Sequence, residues 1–546
     1  MASPGRRRGV PIWLRVLLAG AIQALCFAPG PLPAWSLPFV QIASLSVLAA
    51  HTWGARGPRQ AAGYGWLFGL AQFSVGVYWL TISMHEFGGL ALPLSIAALL
   101  LFAAAMALYA AGACALTAWL CAAHKNPEQP AWRQILNAAA WAGAWTLFEW
   151  LRGTLFTGFT WLNIGYAHAE GMFAAWAPFI GVYGLAWLSA FAAGAIALMA
   201  RAKDTTHDRS AAAVIALALA SGLLGIAWAH IQWTRPVGDP LLVRLVQPAT
   251  PQSDKFDPAR FLTAQERTLR LAGLPPKGPD DRPDLIVLPE TVLPILQDQV
   301  PDPIWQSWLA LADRMNAALV LGLPLHTRTT TGDRYTNGAT VIHPGDTQPP
   351  LVPGHWHYDK HHLVPFGEFI PPGFHWFVRA LKIPLGDFNR GPLRQPPLLL
   401  DGQALAVDIC YEDTFGEEIA ASVRPDDTGA PGASILVNLS NLAWFGNTWA
   451  LRQHLWIARM RALETARPVI RSTNTGMTAA IDPTGEVRGM LDPAVPGVLD
   501  VEVQGTQGLT PYVRWGNGPI LGWALLGLLL AARYRGKTTR EGRAAS

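Results

Sequence analysis

Long apolar stretches dominate the first 235 residues of the chain and return once near its C-terminus. Most have the roughly 20 residues that a helix needs to cross the hydrocarbon core of a membrane. The fourth and sixth are longer, which indicates tilted or kinked helices. This pattern predicts eight membrane-spanning helices, at about residues 12 to 28, 36 to 52, 62 to 84, 90 to 122, 135 to 157, 172 to 200, 211 to 233 and 518 to 534.

The region between the seventh and eighth stretches has a different pattern. Short runs rich in Val, Ile and Leu alternate with segments of helical periodicity, which is typical of a layered α/β fold with helices covering a sheet. The predicted strands are Leu241 to Val246, Leu285 to Leu288, Ala318 to Leu323, Leu405 to Ile409, Ser434 to Val437 and Val469 to Ser472. The predicted helices are Phe261 to Leu271, Ile304 to Asn316 and Gln453 to Glu464.

Composition and charge support a membrane protein and predict its orientation. Only 14% of the residues are charged, against roughly a quarter in a typical soluble domain. Arginine and lysine collect at both termini and on alternate loops, which are cytoplasmic by the positive-inside rule. The sequence thus predicts a membrane domain at residues 1 to 233, a periplasmic α/β domain at 234 to 516, and an eighth span with a basic cytoplasmic tail at 517 to 546. Because these loops account for the net charge of +4, nucleic-acid binding is not indicated.

Cysteine usage singles out one thiol. Cys26, Cys114 and Cys121 fall in predicted spans, where they behave as small hydrophobic residues. Cys410 follows a predicted strand and has no extramembrane partner for a disulfide. An unpaired thiol in an oxidising compartment is a liability unless it is used, so Cys410 is a candidate nucleophile. The alternative is an inert buried cysteine.

Two charged residues upstream could serve that thiol. Glu290 closes the segment Leu285-Ile-Val-Leu-Pro-Glu290 and, like Cys410, follows a strand, where loops of a layered fold converge. A carboxylate in a dry site can take the thiol proton. Lys360 could stabilise the oxyanion together with a backbone N–H such as that of Tyr411. Taken singly, Glu290 and Lys360 could also be ordinary surface charges.

Several motifs in this order resemble one family. In the outer segment they are Leu288-Pro-Glu-Thr291, Tyr358-Asp-Lys360, Leu363-Val-Pro-Phe-Gly-Glu368, Cys410-Tyr-Glu412, Asn438-Leu-Ser-Asn441, Trp444-Phe-Gly446, Arg461-Ala-Leu-Glu464 and Asn474-Thr-Gly476. In the membrane part they are Glu149-Trp-Leu-Arg-Gly153, Gly158-Phe159, Trp161 and Gly165-Tyr166. The outer segment resembles the nitrilase superfamily, and nearly the whole chain is similar to the apolipoprotein N-acyltransferases.

This resemblance implies an αββα sandwich and a two-step reaction. Cys410 would accept an acyl chain from a membrane phospholipid as a thioester and pass it to the α-amino group of the diacylglyceryl-cysteine of an apolipoprotein. Glu290 would be the base and Lys360 an oxyanion partner. The other residues implied to support the site or bind substrate are Glu368, Tyr411, Glu412, Asn438, Trp444, Phe445, Glu149 and Arg152. The chain departs from the usual family residues at Pro248-Ala249, Phe256, Thr160 and Leu442.

Lipid substrates call for apolar contacts near the site. The aromatic segments Phe374 to Phe377 with Leu381 to Pro384, and Leu442 to Phe445 with Trp449, are candidates for dipping into the outer leaflet or lining an acyl groove; ordinary packing is the alternative.

Glu149 and Arg152 lie three residues apart in a predicted span, where charges are usually functional. They suggest a role near the lipid headgroup, and a purely structural pair is the alternative.

The remaining expectations concern partners and rival functions. His355, His357, His361 and His362 surround Lys360, but no carboxylate motif accompanies them at metal-ligand spacing, so we expect packing or solvated histidines and neither metal nor cofactor. The expected partners are phospholipid, apolipoprotein and the bilayer of the bacterial inner membrane, and we expect a monomer. Two alternatives are a membrane-tethered amidase acting on a soluble amide and a transporter with a periplasmic binding domain.

Overall fold

A computed structural model describes residues 10–121, 130–201, 205–276, 278, 281–330, 332–371, 373, 387–426 and 429–544. The chain divides into two compact units. The first comprises the residues up to Tyr78, Pro93–His230 and the residues from Asn517 onward. The second comprises Ile231–Gly516 and, from the N-terminal third of the chain, Trp79–Leu92.

The first unit is helical. Its main helices are Ile12–Ala24, Leu37–Gly54, Pro58–Gly76, Leu92–Leu120, Ala131–Thr154, Ala177–Met199, Thr205–Trp228 and Gly518–Ala544. Short 3-10 turns occur at Ala34–Ser36, Leu155–Thr157, Ile164–His168 and Ala174–Trp176. Close packing between helices depends on glycine, because a Cβ on Gly20 would come within 2.1 Å of the Phe68 carbonyl oxygen.

The helices lie at the predicted apolar stretches, but fewer of them than predicted are long and apolar enough to cross a membrane. Among the described residues, three helical segments are long and apolar enough to cross a membrane: Ala34–Gly54, Leu92–Leu120 and Ala174–Met199. Pro58–Gly76 with Leu80–Phe87 would make a fourth, but this pair is bent by 63°. The apolar helices Ile12–Ala24 and Ala212–Trp228 are shorter. The structure therefore supports three to four candidate spans, and eight crossings remain a prediction.

In the part of the second unit that the structure describes, most strands form two six-stranded sheets. Its strands are β1 Arg235–Pro236, β2 Leu241–Gln247, β3 Leu285–Val287, β4 Ala318–Thr329, β5 Gly332–Ile342, β6 His357–Asp359, β7 Leu398–Leu400, β8 Gln403–Ile409, β9 Ile435–Ser440, β10 Val469–Thr473, β11 Ala479–Ile481, β12 Val487–Met490, β13 Gly497–Val503 and β14 Thr506–Gln507. One sheet has the order β13-β2-β3-β4-β5-β6 and the other β12-β11-β10-β9-β8-β7, while β1 pairs with β14. The central strands β2, β3 and β4 of one sheet, and β8, β9 and β10 of the other, are parallel.

Helices cover the outer faces of both sheets. The helices of this unit are Leu80–Ile82, Gln252–Lys255, Pro258–Ala272, Asp302–Met315, Gly416–Val423, Trp449–Thr465 and Pro511–Trp515, with a π-helical turn at Ser83–Phe87 and 3-10 turns at Gln297–Gln299, Cys410–Thr414 and Ala443–Phe445. The core between the sheets joins Val243 and Val287 to Val407 and Val437. Separate cores join each sheet to its own helices. The layers are therefore helix, sheet, sheet and helix.

The six predicted strands and three predicted helices are confirmed, with ends shifted by a few residues. Strand β5 was not predicted, because its first half is polar and exposed and only its second half is buried. Sequence reasoning also treated residues 62 to 84 as one span, whereas the helix ends at Gly76 and Trp79–Leu92 belongs to the second unit.

We expect Trp308→Ala to destabilise the second unit. Trp308 is fully buried on the helix Asp302–Met315, in the core that this helix shares with its sheet. Removing such a ring typically costs about 3–5 kcal/mol in lost burial and cavity formation. The test is guanidinium unfolding of the purified full-length protein in detergent, followed by circular dichroism. Ser307→Ala, on the exposed side of the same helix, is the control, and equal midpoints for the two variants would contradict the prediction.

Candidate active site

The site collects residues from the ends of strands in both sheets. Glu290 follows β3, Lys360 follows β6, Cys410 follows β8, and Asn441 follows β9. Three of these four strands end in buried hydrophobic or polar residues, so the loops that follow start from a rigid frame. The sequence-predicted residues Glu290, Lys360 and Cys410 are brought together here, since the charges of Glu290 and Lys360 both act on the Cys410 thiol.

Cys410 has a left-handed backbone conformation, with φ of +58°. This conformation is unfavourable for a residue with a side chain and occurs at sharp functional turns. The Cys410 carbonyl oxygen lies 3.1 Å from His454 Nε2 and 3.4 Å from Asn438 Nδ2. Two side chains from neighbouring elements therefore hold the backbone of the candidate nucleophile in this turn.

Glu290 is buried and accepts two hydrogen bonds. The Asn337 side-chain amide donates to Oε1 at 2.8 Å, and the Asn441 backbone N–H donates to Oε2 at 2.8 Å. The Lys360 ammonium lies 3.6 Å from the same carboxylate. Both carboxylate oxygens are thus oriented by fixed donors, which is the state a general base needs before substrate binds.

A second carboxylate holds Lys360 in place. Lys360 Nζ donates to Glu368 Oε1 at 2.8 Å, and this oxygen also accepts from the Asn337 amide at 2.7 Å. Glu368 Oε2 accepts from the Val364 backbone N–H. Asn337 therefore bridges both carboxylates of the site. Sequence reasoning missed it, because it lies in the half-buried strand β5 and belongs to no charged motif.

Glu412 connects the Lys360 loop to the Cys410 turn. Its carboxylate accepts from the Tyr358 hydroxyl and from the backbone N–H groups of His361, His362 and Ile409. Burial raises its pKa to about 7, while Lys360 and these hydrogen bonds lower it. The carboxylate thus fixes two loops from opposite sheets relative to each other.

The electrostatics of the site keep the resting thiol protonated. Burial raises the pKa of Cys410 well above its usual value, Glu290 raises it further, and Lys360 lowers it. For Lys360, burial lowers the pKa, but Glu368 and Glu290 outweigh that effect and raise it, so the ammonium stays charged. Lys360 by itself lowers the pKa of Cys410 and so favours the thiolate, as expected. Because the sum of all effects still raises this pKa, the thiol needs a base.

Lys255 is a second buried lysine, and sequence reasoning noted it only for its neighbour Phe256. Its Nζ donates to the backbone carbonyl of Glu290 at 2.9 Å. Burial lowers its pKa to about 8, against the opposing effects of Glu290 and Cys410. At neutral pH this ammonium therefore adds positive charge to the site.

The remaining supporting residues have mainly structural contacts. Asn438 is buried, and its amide donates to Asp408 at 2.6 Å as well as to the Cys410 carbonyl. The Tyr411 ring packs 5.1 Å from Phe415. Leu442, one of the departures from the family residues, is almost fully buried in the core beneath the helix Trp449–Thr465.

Aromatic side chains form a cluster beside the loop that follows β9. Trp444 lies 5.5 Å from Phe87 and 6.4 Å from Phe256, and Phe445 lies 4.3 Å from Trp79, as ring-centroid distances. Phe256 and Trp444 are exposed, whereas Trp79 is buried. The predicted segments Phe374 to Phe377 and Leu381 to Pro384 lie outside the described residues. Trp79 was missed because it lies inside a predicted span, and Phe87 because it lies between two predicted spans, far in sequence from the outer segment.

Glu149 and Arg152 form a buried pair in the first unit, separated by 3.6 Å. Arg152 also donates to the backbone carbonyls of Phe159 and Trp161, and Glu149 accepts from the Ile164 backbone N–H. These contacts attach the end of one helix to the loop that follows it. The structural alternative thus has direct support, and a role near lipid headgroups remains a prediction.

The histidines near Lys360 have ordinary packing partners. His361 Nδ1 lies 2.8 Å from the Gly391 carbonyl, and His362 Nδ1 lies 2.9 Å from Glu418 while its ring stacks on Phe415. His357 Nδ1 lies 3.1 Å from the His355 carbonyl. Within the part of the chain that the structure describes, no group of histidine, cysteine or carboxylate side chains is arranged to hold a metal ion.

Comparisons with known proteins agree with the architecture. Residues 19–195 match the apolipoprotein N-acyltransferase N-terminal domain, and residues 264–512 match the carbon-nitrogen hydrolase domain. The chain is 50% identical to an apolipoprotein N-acyltransferase of Bordetella bronchiseptica, over 97% of this chain and 98% of the relative. It is 43% identical to one from Ralstonia nicotianae, over 95% and 92%, and 40% identical to one from Nitrosomonas europaea, over 94% and 96%.

We expect Asn337→Ala to slow the reaction of Cys410 by about 10- to 100-fold with KM nearly unchanged, because a small displacement of reacting groups costs rate more than binding. The substitution removes the donor shared by Glu290 and Glu368. The test is single-turnover kinetics of Asn337→Ala, Glu368→Gln and the double variant. Because the residues act as one unit, their effects should fall short of additivity. Full additivity, or a wild-type rate for Asn337→Ala, would count against this prediction.

Lys255→Met should slow alkylation of Cys410 by iodoacetamide below pH 7, and the difference from wild type should disappear as pH rises past about 8. The reason is that the Lys255 ammonium stabilises negative charge on the thiolate only while it is protonated. Cys410→Ala supplies the background from the three other, buried cysteines. Lys255→Arg, which keeps the charge at all these pH values, is the matched control. A ratio of rates that does not change with pH would refute the assignment.

Proposed function

Because this chain belongs to the apolipoprotein N-acyltransferase family, we propose that it moves an acyl chain from a membrane phospholipid to the α-amino group of the N-terminal diacylglyceryl-cysteine of apolipoproteins, through a thioester on Cys410. The observation that carries this proposal is the arrangement of Glu290, Lys360 and Cys410. A protonated thiol stands among an oriented carboxylate and a buried ammonium.

In the first step, Glu290 takes the proton of the Cys410 thiol as the sulfur attacks the ester carbonyl of the phospholipid. A carbon–sulfur bond forms, and negative charge develops on the carbonyl oxygen. The Lys360 ammonium and the Tyr411 backbone N–H stabilise this oxyanion. When the tetrahedral intermediate collapses, the carbon–oxygen bond breaks and Glu290 returns its proton to the departing lysophospholipid alkoxide. The enzyme is left acylated and Glu290 is ionised again.

In the second step, the neutral α-amino group of the acceptor attacks the thioester. Glu290 takes a proton from the attacking nitrogen, and the same groups stabilise the second oxyanion. Cleavage of the carbon–sulfur bond releases the amide, and the thiolate recovers its proton from Glu290. This sequence predicts ping-pong kinetics. Glu368 contributes by holding Lys360 in place, and Glu412 by holding the turn at Cys410.

Lipid substrates require access from a membrane. We assign residues 1 to 233 and 517 to 546 to an eight-span domain of the inner membrane with both termini cytoplasmic, and residues 234 to 516 to the periplasm. The distribution of arginine and lysine supports this orientation. The exposed rings of Phe256 and Trp444 offer an apolar surface for the acyl chain, each CH₂ of which costs about 0.8 kcal/mol to withdraw from lipid.

We expect purified full-length protein, incubated with phospholipid alone, to gain one acyl mass on Cys410 by intact-protein and peptide mass spectrometry. Cys410→Ala should gain none, because the thiol forms the covalent bond. Adding a diacylglyceryl-cysteine peptide should then discharge the adduct and yield an N-acylated peptide. Transfer that survives in Cys410→Ala would defeat the mechanism. Release of the acyl group to water, at a rate that the amine does not change, would favour the membrane-tethered amidase instead.

A further inference from the structure

We propose that His454, held by Arg471, is a positioning residue that fixes the carbonyl of Cys410 and thereby aims both the thiol and the following Tyr411 N–H at the substrate carbonyl. This inference rests on the proposed function for its kinetic consequence. Neither His454 nor Arg471 belongs to the triad, and the mechanism above assigns them no task. The residues lie behind the nucleophile, on the helix Trp449–Thr465 and on β10.

The hydrogen bonds define the state of the imidazole. Arg471 donates a side-chain N–H to His454 Nδ1 and a second N–H to the His454 backbone carbonyl at 2.9 Å. A guanidinium cannot accept a hydrogen bond, so Nδ1 must carry a lone pair. The proton is therefore on Nε2, which lies 3.1 Å from the Cys410 carbonyl oxygen. His454 is thus a neutral ring that donates to the nucleophile's backbone.

The surrounding charges balance without requiring a charged imidazole. Asp413 lies 3.8 Å from Arg471 and 3.1 Å from His454 Nε2. Asp408 receives the Asn438 amide at 2.6 Å. Burial raises the pKa of Asp408 well above its usual value, and Asp413 raises it further, so the neutral acid is favoured. Asp413 therefore lies beside the Arg471 guanidinium, and both His454 and Arg471 are fully buried.

The need for this support comes from the backbone of Cys410. Its left-handed φ places the thiol and the next N–H on the turn after β8, a conformation that a side chain disfavours and the surroundings must enforce. Asn438 makes a longer contact of 3.4 Å to the same carbonyl. If the His454 donor is lost, the peptide can rotate, and both the thiol and the oxyanion donor leave their positions together.

The matched variants are His454→Leu, which removes the donor, and His454→Gln, whose amide can place an N–H near the position of Nε2. Arg452→Ala, exposed on the same helix, is the control. In full-length protein with phospholipid, we measure the acylation rate constant, the KM for phospholipid and the number of active sites from the burst amplitude. A displacement of about 1 Å can cost 10²-fold in rate, so we expect His454→Leu to lose about that factor per active site.

The expected result is a slow His454→Leu with KM within about twofold of wild type, His454→Gln restored to within about tenfold, and Arg452→Ala unchanged. A reduced number of active sites with a wild-type rate constant would show a merely structural role and overturn the proposal. A His454→Gln variant that is no faster than His454→Leu would also overturn it.

A second measurement separates this inference from the proposed function. The rate of Cys410 alkylation by iodoacetamide requires no lipid and reports whether the thiol lies beside its base. We expect His454→Leu to slow alkylation at least fivefold between pH 6 and 8, and His454→Gln to recover it, as expected for a misplaced nucleophile. If wild type formed no acyl adduct, the proposed function would fail while this series still decided the role of His454. Equal alkylation rates in all variants would overturn the inference.

Discussion

The burial of one positive charge organises the catalytic unit. Lys360 is 1% exposed, and a buried ammonium is tolerated only where opposite charge and hydrogen bonds replace the lost water. Glu368 and Glu290 supply that charge, and Asn337 holds the two carboxylates together by donating to both. Glu290 follows β3 and Glu368 follows β6 of the same sheet, so the loops after these two strands cannot move apart without exposing the ammonium or breaking its hydrogen bonds.

Burial also controls the Cys410 thiol, because it opposes the formation of a negative charge on sulfur. Burial and the neighbouring carboxylate keep Cys410 protonated at rest, so its reactivity depends on placement and on proton transfer to Glu290. The strained turn at Cys410 places the thiol. His454 contacts the carbonyl of this turn, and Glu412 connects the turn to the Lys360 loop. A buried polar frame and an uncharged nucleophile are therefore parts of one arrangement.

The sequence predicted the strands that carry the site because their apolar runs are short and bounded by loops, as at Leu285 and Leu405. It also identified Cys410, as the cysteine outside the predicted spans, and Glu290 and Lys360, as charged residues upstream of it that could serve the thiol. It did not reveal Asn337, His454 or Arg471, since a buried amide or imidazole in a regular element resembles ordinary packing until its partners are known. The bend after Gly76 was hidden by continuous hydrophobicity, which determines burial but not direction.

The position of Trp79–Leu92 has a consequence for the evolution and engineering of this chain. Trp79 donates its indole N–H to Gln453 and packs on Phe445, within the same compact unit as the catalytic residues. The catalytic unit is therefore discontinuous in sequence. A fragment that begins at residue 234 would lack the Trp79 indole, so the α/β region cannot be transferred as one continuous segment. An exchange of the catalytic unit between relatives would have to include Trp79–Leu92 together with the loop after β9.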